Sequence, residues 1–255
     1  MKKLFDIAGK VALVTGGSRG IGEMIATGYV ENGAKVYISS RKKAACDALA
    51  AKLSQRGQCI SLPHDLGTMA GIEGLAKDLA AREPRLDILV NNAGASWGAP
   101  IEDYPEAGWD KVVDLNLKSV FFTTQKLLPL LRAAASAQSP ARVVNVASVN
   151  GITPPEWETF AYSSSKAGCI MLTRHLAKRL APDHILVNAI SPGPFESQMM
   201  AEMLKTHGEA IRAKNPLHRI GSPEDIAGVA IFLASRAGAY TTGANIPCDG
   251  GLAEV

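Results

Sequence analysis

"VTGGSRGIG", residues 14–22, decides the fold. Before it lies the apolar run "KVALVT" (10–15), which reads as a buried strand, and after it "IGEMIATGYVENG" (21–33), which reads as a helix closed by Gly33. Glycines at a strand-to-helix turn let the backbone approach a ligand, while free N–H groups and the helix dipole favour an anion. Such a turn at the first βα junction of an alternating chain is the seat of a dinucleotide pyrophosphate. The spacing here is Thr15-Gly16, three residues, then Gly20-Ile21-Gly22 rather than GxGxxG, so an ordinary strand–helix turn is the competing reading.

The same alternation continues outward. "KVYISS" (35–40), "QCISLP" (58–63), "LDILVN" (86–91), "RVVNVAS" (142–148) and "HILVNAIS" (184–191) read as strands. Helical patterns at 42–57, 68–82, 109–136, 161–181 and 223–235 fill the gaps. Near-continuous Val/Ile/Leu strands alternating with helices indicate a parallel sheet covered on both faces. The expectation is an α/β chain: one Rossmann domain over 1–255, doubly wound, with a mostly parallel sheet of about seven strands. The stretch 192–221, rich in Pro, Gly and polar residues, is expected to be a substrate-binding lid within that domain. Met199, Met200, Met203 and Leu204 at helical spacing suggest a lid helix with an apolar inner face, or else ordinary core.

Composition narrows the function classes. The 255 residues carry a net charge of +3, too little to argue for nucleic acid or membrane as a partner. No apolar run approaches the roughly 20 residues of a membrane span, and Asp6 and Lys10 interrupt any signal-like core, so a cytoplasmic protein is expected. The four cysteines show no CxxC pairing and read as reduced, mostly buried thiols. The histidines show no HExxH or comparable spacing, and no metal is expected.

Dinucleotide sites for NAD often place an acid at the end of the second strand for the ribose 2′-hydroxyl. This chain has Ser39-Ser40-Arg41-Lys42 there. Arg41 can pair with a 2′-phosphate, with Arg19 of the glycine loop on the other side, which favours NADP(H); otherwise Arg41 and Lys42 begin a solvated helix. Tyr162 and Lys166 of "YSSSK" lie four apart on a predicted helix and share a face. An ammonium beside a phenol favours the phenolate, as proton transfer to or from a carbonyl oxygen requires. Ser148 ends a strand at the carboxyl edge, where open α/β sheets bind ligands. Asn116 of "LNLKS" is a polar residue in an otherwise apolar helix.

These pieces together make the chain resemble the short-chain dehydrogenase/reductase family over essentially its full length. The matching motifs are the TGxxxGIG loop (15–22), "HDL" (64–66), "NNAG" (91–94), Asn116, Ser148, Tyr162 with Lys166, "SPG" (191–193) and "DGG" (249–251). The resemblance implies a tetrad of Asn116, Ser148, Tyr162 and Lys166. Tyr162 would be the general acid in ketone reduction, Ser148 would hold the carbonyl, Lys166 would favour the phenolate and bind the nicotinamide ribose, and Asn116 would support a water in a proton relay. It also implies a cofactor cleft formed by Gly16, Ser18, Arg19, Gly20, Ile21, Gly22, Ser40 and Arg41. Asp65 and Leu66 would lie at the adenine, Asn92, Ala93 and Gly94 along the cleft, and Pro192, Gly193, Phe195 and Ser197 by the nicotinamide. Ser197 stands where many members have threonine.

Within the family the chain is similar to reductases of 3-oxoacyl thioesters carried on acyl carrier protein, which implies an acyl-thioester substrate and, as partners, a carrier protein and three further copies in a homotetramer. "NNAGASWGAPIEDYP" (91–105) and a Ser148-to-Tyr162 interval one residue longer than in many members carry that likeness. Ser96, Trp97, Trp157, Met199 and Met203 are the candidate substrate residues; both tryptophans could equally be packing residues. If they face the site, a broad ketoreductase for bulky ketones becomes an alternative. A sugar-acid or polyol dehydrogenase would want a cluster of hydroxyl-binding residues that is not evident. A non-catalytic dinucleotide-binding protein would be expected to have lost Tyr162, Lys166 or the glycine loop.

Overall fold

A computed structural model describes residues 3–197 and 200–253. Seven parallel strands form one sheet: β1 (Val11–Thr15), β2 (Lys35–Ser39), β3 (Gln58–Ser61), β4 (Ile88–Asn91), β5 (Ala141–Val146), β6 (Ile185–Pro192) and β7 (Asn245–Cys248), in the order β3-β2-β1-β4-β5-β6-β7. The order reverses between β1 and β4, which opens a crevice at the carboxyl edge, the place where sheets of this kind bind ligands. Helices α1 (Gly20–Glu31), α2 (Lys43–Leu53), α3 (Met69–Ala80), α4 (Glu106–Val113), α5 (Ser119–Ala134), α6 (Phe160–Leu180), α7 (Ala201–Lys214) and α8 (Pro223–Ala234) connect the strands.

Strand side chains alternate between two cores, as the period of two demands. Ala12, Val14, Val36, Ile38, Val144 and Val146 meet α1, α2 and α8 on one face. Val11, Leu13, Tyr37, Leu89 and Val143 meet α3, α5 and α6 on the other. Gly28 lets α1 and α8 touch: a Cβ there would lie 2.6 Å from the Ala227 methyl. Helix starts are fixed by local chemistry. Thr68 accepts the Gly71 N–H ahead of α3, and Ser222 with Asp225 forms a reciprocal capping box ahead of α8, with Pro223 in the first turn.

The middle of the sheet is not wholly apolar. Asn91 of β4 is in register with Asn145 of β5. Its Nδ2 donates to Asn145 Oδ1 at 2.9 Å and Thr124 Oγ1 at 3.0 Å, and Asn145 Nδ2 donates to Thr173 Oγ1 at 2.8 Å. All four residues are buried.

One sequence expectation changes. The helix expected over 109–136 is α4 and α5 joined by a π-helical turn, Asp114–Lys118. The helical spacing read within 192–221 is met by a regular helix, α7. The seventh strand is the short, proline-containing β7. No helix among the described residues is long and apolar enough to cross a membrane.

Candidate active site

The crevice begins at the glycine loop. Gly16 has a positive φ of 62°, and a Cβ on it would lie 2.8 Å from both Ala93 Cα and Asn92 Nδ2. Only glycine permits that approach. The loop after β4 locks onto it: Thr15 Oγ1 accepts the N–H groups of Asn92 and Ala93, and Asn92 Nδ2 donates to the carbonyls of Thr15 and Gly16. Arg19 stands in extended backbone at the head of α1, and its side chain does not cap that helix. Its first-turn N–H groups at Gly20, Ile21 and Gly22 therefore suit anionic oxygens.

At the end of β2, Ser40 Oγ lies 3.1 Å from Cys46 Sγ, and Arg41 is exposed. A cavity of about 210 Å³ beside it is lined by Arg41, Asp65, Gly67, Thr68, Lys111 and Asp114, together with Ala95 and Leu115. Asp65 turns back to accept the Gly67 N–H. A helix start not capped by its leading side chain, a cation where an acid would repel a 2′-phosphate, and this adjoining cavity fit a phosphorylated dinucleotide. Leu66 and Phe195 place their side chains in the two cores, Leu66 at 4% exposure and Phe195 at 2%, the latter against Gly221. Any contact of these two with a cofactor falls to their backbones. Gly193 backs onto Asp249, where a Cβ would come within 2.7 Å of the aspartate Cβ, and Pro192 pairs with Cys248. Ser197 begins the segment above the glycine loop: a Cβ on Gly20 would be 3.2 Å from the Ser197 Cβ.

The four residues expected to do chemistry converge at the same edge. Ser148 follows β5 and heads a short 3-10 turn, Val149–Gly151, with its Oγ accepting the Asn150 N–H. Tyr162 sits half-buried in the first turn of α6. Lys166, one turn on, is 5% exposed; its Nζ donates to Val146 O at 2.7 Å and lies 5.6 Å from the centroid of the Tyr162 ring. Burying an ammonium is costly unless it is hydrogen-bonded, and Val146 O meets that need two residues from Ser148.

Asn116 lies within the π-turn, an irregularity common at functional sites. It is 1% exposed, and its amide is engaged on both sides. Oδ1 accepts the Ala95 N–H, and Nδ2 donates to Ala95 O and Ser165 Oγ. Ser165 in turn donates to the Tyr162 carbonyl at 2.7 Å. The side chain thus ties the loop after β4 to the tyrosine turn.

The expected substrate residues divide. Trp97 lies against α4, its ring over Gly108 with Lys111 Nζ 5.0 Å from the centroid, and Tyr104 donates to its carbonyl. Trp157 packs edge-on to His207 of α7 at 5.6 Å. Both rings are partly exposed, Trp97 at 36% and Trp157 at 43%. Ser96 and Met203 are half-buried, and Met199 lies outside the described residues. Sequence reasoning missed Ser165, which has no signal beyond its place in "YSSSK". It also missed Lys111 and Gly151; a Cβ on Gly151 would lie 2.6 Å from the Lys166 carbonyl carbon. Burial pushes the Cys59 and Cys248 thiols up to about 11, the environment of an unreactive cysteine. Among the described residues no three His, Cys, Asp or Glu side chains are grouped to hold a metal.

Comparison with known proteins gives concordant matches. A family model described as enoyl-(acyl carrier protein) reductase matches residues 16–253. The rhamnolipids biosynthesis 3-oxoacyl-[acyl-carrier-protein] reductase of Pseudomonas aeruginosa is 51% identical over 99% of both chains. The 3-oxoacyl-[acyl-carrier-protein] reductase FabG of Thermotoga maritima is 35% identical over 96% of this chain and 98% of its own. Among solved structures, the Pseudomonas aeruginosa RhlG/NADP active-site complex superposes with a TM-score of 0.96 at 51% identity, covering 99% of this chain and 100% of that one.

Proposed function

Because this chain belongs to the short-chain dehydrogenase/reductase family, a family of oxidoreductases, we propose that it reduces the ketone of 3-oxoacyl thioesters with NADPH, using Tyr162 as proton donor. The observation that carries the reading is the Lys166 ammonium, buried against the Tyr162 ring and held by Val146 O beside Ser148. Relatives whose names specify 3-oxoacyl-[acyl-carrier-protein] substrates, and a structural neighbour bound to NADP, support the substrate and cofactor.

Gly16, Ser18, Arg19, Gly20, Ile21 and Gly22 would hold the pyrophosphate and Arg41 the 2′-phosphate. Asp65 would border the adenine, and Asn92 to Gly94 the middle of the cleft. Pro192, Gly193 and Ser197 would stand by the nicotinamide. Bound NADPH supplies a hydride to the carbonyl carbon. The protein's own part is played at the oxygen. Ser148 Oγ donates to the carbonyl oxygen and orients it. Tyr162 Oη gives its proton to the same oxygen as negative charge builds there. Lys166 holds a positive charge beside the phenolate this leaves, lowering the cost of proton release. Asn116, through Ala95 and Ser165, keeps the loop after β4 and the Tyr162 turn in fixed relation.

The segment 192–221, with α7 at its centre, acts in this reading as a lid over the acyl chain, with Met203 on its half-buried side. An acyl carrier protein is the macromolecular partner, a homotetramer the assembly and the cytoplasm the location. The test is loss of reduced-nicotinamide absorbance with an acetoacetyl thioester, run beside NADH and a panel of bulky ketones. Turnover of the thioester with NADPH is expected. Turnover of the ketones alone would keep the tyrosine chemistry and discard the thioester substrate.

A further inference from the structure

The longer Ser148-to-Tyr162 interval has a use visible in its contacts. Three successive residues after Pro154-Pro155 each reach a different target. Glu156 Oε1 accepts a bond from Lys214 Nζ at 2.7 Å, at the last turn of α7. Trp157 meets the His207 ring edge-on, two turns earlier on the same helix. Glu158 faces the other way: its carbonyl accepts the Ala99 N–H at 3.2 Å and its Oε1 the Ile101 N–H at 3.3 Å. Residues 156–158 therefore run as a strap from the loop after β4 to the lid helix, across a segment bounded by Ser148 and Tyr162.

Met203, Leu204 and Ile211 are half-buried on one side of α7, Gly208 is buried between them, and most other described side chains of the helix are exposed. A helix with few buried apolar contacts belongs to the low-stability end of a structure and opens readily. At its carboxyl end Asn215 anchors it, donating to Asp249 O at 2.6 Å.

We propose that Glu156 and Trp157 form a clasp that holds α7 closed and thereby determines how long an acyl chain the site retains. The chain-length part rests on the thioester reading above. On that reading a long acyl chain would run beneath α7 on the side of the half-buried Met203 and Leu204, so loosening the clasp withdraws cover from long chains and leaves short ones as they were. An exposed ion pair contributes modestly, so each single loss is expected to act by about twofold to fivefold.

The test uses the intact enzyme and Glu156→Gln, Lys214→Met, His207→Ala and the Glu156→Gln/Lys214→Met double variant. Hydrogen exchange is read over 201–214, and KM and kcat over a series of 3-oxoacyl thioesters of increasing length. Exchange in α7 should rise by about twofold to fivefold in each single variant, with the double variant no faster than either parent. KM should rise with chain length while kcat on the shortest thioester stays at the wild-type value. Unchanged exchange in 201–214, or a rise spread over the whole molecule, overturns the clasp. An equal KM change at every length overturns its role in chain selection. Absence of thioester turnover by the wild type overturns the chain-length consequence together with the substrate reading, and the exchange data still decide the clasp.

Discussion

Gly151→Ala tests whether the catalytic groups are held by contact or merely lie near one another. Gly151 ends the short turn that Ser148 heads, and the turn rests directly on α6 at Lys166. An alanine Cβ would sit 2.6 Å from the Lys166 carbonyl carbon, 2.8 Å from the Ala167 nitrogen and 2.9 Å from the Lys166 oxygen, where ordinary contact begins at 3.4 Å. All three atoms are backbone of one long helix and cannot swing aside as a side chain would. The turn and the helix must separate by the better part of an ångström, and Ser148 moves away from Tyr162 and Lys166. Misplacement of that size costs about a hundredfold in rate, and overpacking costs about 1–3 kcal/mol of stability. The assay is single-turnover reduction at saturating cofactor and substrate, beside a thermal melt. Gly228→Ala is the control: a Cβ there meets nothing within 4 Å, so rate and stability should hold or improve slightly. A folded Gly151→Ala enzyme turning over within about twofold of wild type would refute the contact argument, since the expected loss is far larger.

Three further outcomes are expected. Tyr162→Phe should keep cofactor binding, read by fluorescence of the reduced nicotinamide, and lose at least about a hundredfold in kcat, because proton delivery is removed; full turnover would eliminate Tyr162 as donor. Arg41→Asp should move the ratio of kcat/KM for NADPH over NADH by about tenfold or more toward NADH, since a charge-assisted bond to phosphate is replaced by repulsion; an unchanged ratio would dismiss the 2′-phosphate role. Asp225 provides a pH signature. The Arg219 guanidinium, and next the Ser222 backbone N–H, hold its carboxyl at about 2 against an ordinary 3.8. A depressed carboxylate stabilises the fold above its unfolded value, and that contribution is lost as pH falls from 3.8 through about 2. Asp225→Asn should melt earlier at neutral pH by a margin that shrinks across that window; a constant margin would show that Asp225 acts only as a cap.

The sequence made the scaffold legible wherever it repeated one physical pattern. Continuous Val/Ile/Leu runs marked β1, β2, β4, β5 and β6, while β7, with Pro247 and no residue fully buried, carried no such run. The 3.6-residue period bridged 109–136 as one helix, because a single widened turn at Asn116 leaves the apolar rhythm on either side intact. Of the site, spacing revealed what chemistry requires at fixed offsets: glycines in a loop, Tyr162 one turn from Lys166, a cation after β2. It could not reveal Ser165, Gly151 or the Glu156–Lys214 pair. Those depend on which elements meet in space, and nothing in their own neighbourhoods of sequence distinguishes them.

The paired amides in the middle of the sheet carry a consequence for assembly of the strands. β4 and β5 are Val- and Leu-rich and parallel, and a slide of one against the other would still bring apolar groups together. A slide would also separate Asn91 from Asn145 and leave one Asn91 N–H and Asn145 Oδ1 buried without each other, each costing about 1–3 kcal/mol. The amides thus act as an alignment key at the centre of the sheet. Their removal would penalise the correct pairing less than it would relieve the wrong ones. A variant with valine at both positions should therefore refold into more than one species, seen as doubled amide resonances along β4 and β5, and a single set of resonances would count against the key.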